Sequence, residues 1–353
     1  MNHMTTIPLE ALHELTAKYY TSAYGSTDFA AMPGEINVPT PDAEHDVRYV
    51  AFEDSPGQLV ASVTTWAPRN EAGGRASCQI VIDPDRADQG LADEAVAAAE
   101  AMARQLGRTH LGVWTAAKDF RPVGSYAMVP EIEAPRPGFD ELWSMRGGPL
   151  QEALRKRGYN VGMNAWRGTL TSDVPMPERA AIPEGFEVTA VHGGAHGGVP
   201  EELVDGIAQL REQAWNDIPM GTGPKIDQHW DAARWRGFEQ AMAADGMDWI
   251  LLAVRNPSGR LVGYTILHWM TARPEAVYQG VTVVAPEGRG HGIGQILKTH
   301  GLAFLPQANP TWKTIFTWNE VNNAPILAVN ARAGYRQTAM VARWDRDLSE
   351  HGC

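Results

Sequence analysis

The sequence predicts an α/β (α+β) protein built from two tandem domains, and three observations predict it. The chain has 353 residues, long for one domain and enough for each half to bury a core of its own. The same order of strands, turns and helices is written twice along it. Between the two copies, the stretch from Ser172 to Glu184 carries Pro175, Pro177 and Pro183, a linker-like composition. The expected division is therefore 1–175 and 176–353.

In the first half, Leu59 to Trp66 reads as a strand, and Pro68 to Gly74 as a turn. Ser77 to Asp83 is a second apolar strand closed by Pro84. Leu91 to Leu106 is an alanine-rich helix stopped by Gly107, and His110 to Thr115 is the next strand. In the second half, Trp249 to Val254 is a strand, Asn256 to Gly259 a turn, and Leu261 to Trp269 the following strand. Tyr278 to Val284 is a strand closed by Pro286, Gly294 to Leu305 a helix, and Thr314 to Trp318 a strand. Asn323 to Ala333 is helical in pattern and ends at Gly334, and Arg336 to Asp345 is a last strand.

The copies overlay. The run from Gln79 to Pro84 falls on Val281 to Pro286, Gly90-Leu91-Ala92 on Gly292-Ile293-Gly294, and Arg157-Gly158-Tyr159 on Ala333-Gly334-Tyr335. One insertion separates them: Ala116 to Gly148, rich in proline, glycine and aromatics. It reads as a packed surface loop, or as a lid or inter-domain surface.

The formal net charge of −12 argues against nucleic acid and anionic membranes as partners and suits a soluble surface. No apolar run approaches a membrane span, and Met1 to Glu10 lacks the features of a signal peptide. Cys78 and Cys353 make neither a disulfide framework nor a zinc pattern, so the expected location is the cytoplasm.

The segment from Val283 to Gly294 carries the chemistry. A diphosphate needs backbone N–H donors that approach closely, and Gly288, Gly290, Gly292 and Gly294 allow this just before a helix whose positive dipole end adds to the attraction. The loop lacks the Lys-Ser/Thr ending of a P-loop, and its glycines do not follow the dinucleotide spacing.

Arg289-Gly290-His291-Gly292-Ile293-Gly294 resembles the Gln/Arg-x-x-Gly-x-Gly/Ala motif of the GNAT N-acetyltransferase superfamily. Val284-Ala285-Pro286 before it and Asn323 to Gly334-Tyr335 after it resemble the flanking strand end and closing helix. The doubled plan is similar to that of mycothiol-synthase-type actinobacterial acetyltransferases. The resemblance implies a mixed, mostly antiparallel central sheet flanked by helices in each domain. It implies that Val283 and Val284 pair with the pantetheine arm of acetyl-CoA, as acyl-donor cosubstrate. It further implies that Arg289, Gly290, His291, Gly292, Ile293 and Gly294 hold the pyrophosphate and that Asn323 touches the CoA moiety. Asn323 reads equally as a helix N-cap.

Direct attack of an amine on a thioester needs a proton acceptor, an oxyanion site and a proton donor for the thiolate. Asn319 and Glu320 are the catalytic candidates, at the end of the strand flanking the thioester. Glu275 and His268 are further candidates for the base. The family's proton-donating tyrosine falls on Asn330, which cannot play that part. Asp217 and Asp227 are the candidates for binding the amine. His192 and His196 flank glycines that disfavour a helix, and no metal site is expected.

In the first half, Asp88 falls where Gly290 stands, and an aspartate there repels a pyrophosphate. The expectation is a C-terminal acetyl-CoA site, a degenerate N-terminal copy, and N-acetylation of a small-molecule amine by a monomer or homodimer. The alternatives are transfer of another acyl group and a CoA-binding pseudoenzyme or regulatory module.

Overall fold

A computed structural model describes residues 2–4, 9–30, 45–69, 74–116, 148–217 and 228–349. The strands are β1 (Asn2–Met4), β2 (His45–Ser55), β3 (Gln58–Pro68), β4 (Arg75–Ile82), β5 (His110–Ala116), β6 (Asn160–Thr171), β7 (Glu187–His192), β8 (Met247–Arg255), β9 (Leu261–Met270), β10 (Arg273–Val284), β11 (Thr314–Glu320) and β12 (Arg336–Asp347). The helices are α1 (Leu9–Tyr24), α2 (Gln89–Gln105), α3 (Pro149–Lys156), α4 (Glu201–Asp217), α5 (Ala232–Ala244), α6 (Ile293–Ala308) and α7 (Ala324–Arg332). Every predicted element is present, most of them longer at the ends. The elements β1, α1, β2, α3, β6, β7, α4 and α5 are not among those predicted from the sequence.

All the described strands join one sheet in the order β1-β2-β3-β4-β5-β12-β6-β11-β10-β9-β8-β7. Within it only β4/β5 and β10/β11 run parallel; the other neighbours are antiparallel. The centre of the sheet is an exchange. Strand β6, which closes the first half of the sequence, pairs with β11 of the second. Strand β12, which closes the second, pairs with β5 of the first, and the two exchanged strands pair with each other. Each half thereby covers a sheet edge of the other.

The apolar side chains follow this plan. One core lies around α4, α5, α6 and strands β7 to β11, and takes Leu170 from β6. The other lies around α2 and strands β2 to β5, and takes Val321, Met340, Ala342 and Trp344 from the far end of the chain. The proline-rich segment after Thr171 is pinned to α6: Thr299 Oγ1 accepts from the Ala180 amide at 2.9 Å, and the Ala180 carbonyl lies 2.9 Å from His300 Nε2. Among the described residues, no helix is long and apolar enough to cross a membrane.

Candidate functional site

The site begins with a wedge in the second half of the sheet. Strands β10 and β11 pair only over Ala276–Tyr278 and Thr314–Phe316, and neither Gln279 to Val284 nor Thr317 to Glu320 pairs across the gap beyond. On its other side β10 stays paired with β9, with a register shift between Gln279 and Thr282. A bulge of this kind bends and twists its strand, which accounts for the divergence. It sits at Gly280, where a Cβ would come within 2.9 Å of Ile266. The edge of β10 at Val283 and Val284 is thus not paired with β11, and the Val284 carbonyl there meets Arg289 Nε at 3.4 Å.

At the wide end of the wedge lies the loop. A single 3-10 turn, Pro286–Gly288, is followed by Gly290 and Gly292 with φ of 81° and 73°, in open space. Gly292 is the N-cap of α6 and offers no capping side chain. The amides of Gly288 and Arg289 are used within the turn, whereas those of Gly290, His291, Gly292, Ile293 and Gly294 find no partner among the described residues. Five unpaired donors at the start of a sixteen-residue helix form an anion cradle. The Arg289 guanidinium is beside it, donating to Asp217 at 2.7 Å.

Asn323 is the N-cap of α7, but its side chain makes no capping bond, so it is open to the cavity that it lines. Of the two readings of this residue, the structure removes the plain side-chain cap.

The catalytic candidates fare differently. Asn319 and Glu320 both line the cavity. The Asn319 Oδ1 accepts from Asn330 Nδ2 at 2.6 Å and from Thr317 Oγ1 at 3.4 Å. Glu320 is buried and accepts from the Asn322 amide at 2.7 Å and from Asn322 Nδ2 at 2.9 Å. Asn330 itself is fully buried and does not reach the cavity. His268 lies outside the cavity, stacked on Tyr278. Burial, then the Arg211 guanidinium, holds its pKa down at about 4. Glu275 accepts from the Lys313 amide through its backbone carbonyl. Asp217 reaches the cavity mouth but is taken up by Arg289, and Asp227 lies outside the described residues, as do 117–147 of the insertion and Cys353.

Wedge and loop open into one cavity of about 880 Å³. It continues past the exchanged strands, at Met163 and Val341, to the first half of the chain. There α1 supplies Tyr19, Tyr20 and Tyr24, and Phe29 packs against Phe316 and Trp318 at ring distances of 4.7 and 5.4 Å. Arg167 lies 4.2 Å from the Tyr24 ring centre and donates to Thr338 Oγ1. The segment around Phe29 is tied to β10 by Arg273, which donates to the carbonyls of Asp28 and Ala30 at 2.6 and 3.1 Å. The sequence reading missed this wall, because α1 and Phe29 meet β11 only in three dimensions. It also missed Lys298, the sole lysine of α6, although a charged residue within Ile293 to Leu305 was a visible signal.

Among the described residues of the first half, the corresponding helix start is built differently. Strand β4 pairs with β3 without a register shift, and Asp88 Oδ1 accepts from the Leu91 amide at 2.8 Å as the N-cap of α2. The helix end that would receive an anion holds the protein's own carboxylate. The His192 and His196 rings are brought to 3.9 Å by a loop rather than a helix. Their nitrogens and an Asp248 oxygen lie within 4.8 Å of one another, with Asp248 also accepting from the Ala195 amide.

Residues 9–127 match the family model described as the Acetyltransferase (GNAT) family. The chain is 28% identical over 237 residues to a mycothiol acetyltransferase of Arthrobacter sp. (strain FB24), with 63% of each chain covered. It is 32% identical over 138 residues to the mycothiol acetyltransferase of Tsukamurella paurometabola, covering 35% of this chain and 41% of that protein. Both matches span less than two thirds of the relative. Among solved structures, a tandem GNAT protein from the clavulanic acid biosynthesis pathway superposes with a TM-score of 0.68 at 19% identity, covering 98% of this chain and 96% of the other. A GCN5-related N-acetyltransferase from Sphaerobacter thermophilus gives 0.67 at 17% identity, covering 100% and 96%. Residues 9–127 thus carry a match to the GNAT family model, and the chain as a whole has the fold of these tandem GNAT structures.

Proposed function

We propose that the chain transfers the acetyl group of acetyl-CoA to the amine of a small molecule, with the cosubstrate held between β10 and β11 in the unit formed by residues 176–353. The observation that carries this reading is the pairing of an unfilled strand edge at Val283 and Val284 with five unpaired amides at Gly290 to Gly294. An extended arm ending in a diphosphate needs both, and they adjoin. Asn323 and Arg289 are placed to add polar contacts. When bound, acyl-CoA would supply the acyl group as a thioester. The chain's part is to orient it, to exclude water and to move protons, and orientation alone accounts for much of the rate with so reactive an ester.

The acceptor would enter from the opposite end, past Tyr20, Tyr24 and Phe29, so that the unit 1–175 forms one wall of its site. The relatives' printed activity, mycothiol acetylation, fits a small-molecule acceptor. A second reading, a CoA-binding module without turnover, is favoured by Asn330, which carries no ionisable hydroxyl where the family resemblance expects a tyrosine.

Calorimetric titration of acetyl-CoA into the native protein, Gly292→Asp and Gly90→Asp tests the proposal. Binding should survive in Gly90→Asp and be lost in Gly292→Asp. Absence of binding to the native protein would sink both readings, and binding without thiol release across a panel of amines would favour the second.

A further inference from the structure

One ionisable side chain in the cavity, Lys298, has neither a counter-charge nor a hydrogen bond among the described residues. Lys298 is 2% exposed on α6 and lines the cavity beside the wedge. It makes no hydrogen bond or ion pair with a described residue, and its closest charge-sensitive neighbour is the Tyr335 ring at 5.3 Å. A lysine is almost never buried without a partner, because its ammonium must shed water without compensation. Six residues of helix separate it from Gly292, a rise of ~9 Å from the anion cradle toward the narrow end of the wedge. That end is formed by Gln279, Gly280 and Thr317, which line the same cavity. There an arm running from the cradle along Val284 and Thr282 would present its sulfur.

We propose that Lys298 hands a proton to the departing sulfur of the CoA cosubstrate, the part that Asn330 cannot play. This rests on the acyl-transfer reading above. The acceptor arrives as a free amine, its ammonium proton having gone to solvent. Its nitrogen lone pair forms the C–N bond at the acyl carbon. The C–S bond breaks with its electron pair going to sulfur, and the Lys298 ammonium transfers one proton there. The attacking nitrogen, positively charged after bond formation, releases a proton that restores Lys298. Thioester and amine become amide and thiol, and Lys298 ends as it began.

The direction of transfer is set by burial, which holds the Lys298 ammonium down at about 7, from an ordinary 10.5. A thiol titrates near ~8.5, so the proton moves downhill from Lys298 to sulfur, whereas from an ordinary lysine or tyrosine it would move uphill. Groups facing this region leave that value to Lys298. Asp217 and Arg289 neutralise each other, and Glu320 is tied to Asn322. Burial pushes the phenols of Tyr19, Tyr20, Tyr24, Tyr264 and Tyr335 up, so they stay neutral.

Lys298→Met is the test, since a flexible apolar side chain of similar length suits the buried position. The first readout needs no turnover: titration of the thiol of bound CoA by the ultraviolet absorbance of its thiolate. Because Lys298 gives up its proton before the thiol does, the thiolate of bound CoA should appear in two steps in the native protein, a minor one together with Lys298 and the main one in the ordinary thiol range, and in a single step in the variant. The second is kinetic. With acetyl-CoA and an accepted amine, kcat should fall roughly 100-fold or more while KM for acetyl-CoA changes little. Lys298→Arg should not restore it, because a guanidinium does not give up its proton. If CoA binds both proteins and its thiol titrates identically, with kcat unchanged, Lys298 has no such role. If Lys298→Met is impaired only with acyl groups that carry a carboxylate, the residue is an acyl anchor and the proposal falls. If CoA binds neither protein, the acyl-transfer reading itself fails.

Discussion

The Asn330 Nδ2 donates to Asn319 Oδ1 across 2.6 Å, joining the last turn of the closing helix to the end of the strand that borders the wedge. Asn330 has no exposed surface, and its own Oδ1 is buried without a partner. The residue at the expected tyrosine position is thus a clamp. Asn330→Ala should cost about 1–3 kcal/mol of stability, since it removes the shorter of the two bonds to the Asn319 side-chain carbonyl and empties a buried position. Asn330→Tyr should cost a similar amount by overpacking and should not raise kcat. Urea denaturation and steady-state kinetics of both variants check this.

Arg289 and Asp217 form a half-exposed ion pair at the mouth of the cradle, 57% and 48% exposed, and such pairs contribute about 0–1 kcal/mol. A bound pyrophosphate would compete with Asp217 for the guanidinium. Asp217→Asn should therefore tighten acetyl-CoA binding up to about fivefold. Arg289→Ala should weaken it about tenfold by loss of a charge-assisted contact. Calorimetry at two salt concentrations distinguishes these effects. Loss of amine turnover in Asp217→Asn with unaltered acetyl-CoA affinity would instead return Asp217 to the acceptor site.

In the first half, the Asp88 carboxylate caps α2. Asp88→Ala should lower stability by about 1 kcal/mol and leave acetyl-CoA affinity as it was. A change in affinity would show that the first half binds the cosubstrate. This outcome matters because residues 9–127 carry a family-model match.

Lys298 also makes a prediction about folding. Its folded pKa is depressed to about 7, so between that value and its unfolded value near 10.5 the unfolded chain binds more protons than the folded one. Its contribution therefore makes the protein more stable as pH rises through this window, and the full penalty is present below about 7. Lys298→Met should remove the dependence and stabilise the protein at neutral pH by several kcal/mol, up to roughly 4. Denaturant midpoints of the two proteins at about pH 6.5 and about pH 9.5 measure it.

The loop from Arg289 to Gly294 was legible because its requirements are local. Alternating glycines after a proline and before an apolar helical repeat can be read within a dozen residues, and the structure puts positive φ at Gly290 and Gly292, two of the positions that the pattern marks. Asp88 was legible as incompatible with an anion, and its actual use as a helix cap follows from the same chemistry. Asn319 and Glu320 were legible as neighbours of the wedge, but their hydrogen-bond partners were not. Asn330 lies eleven residues from Asn319, and the helix between them decides that they meet. The aromatic wall was out of reach, since Phe29 and Phe316 are brought together by the Arg273 contacts and by the order of strands.

The sequence by itself determined the doubled plan, the strand, glycine-rich loop and helix of the second copy, and the aspartate that stands in the corresponding loop of the first. Each of these is set by residues close together in the chain, where turn geometry and hydrophobic period act directly. Only the tertiary structure decided that the closing strands change places, that one cavity joins both halves, and that Lys298 stands in it without a partner among the described residues. Those outcomes depend on which distant strands pair and on what is left to neutralise a buried charge, and both are settled only when the sheet closes.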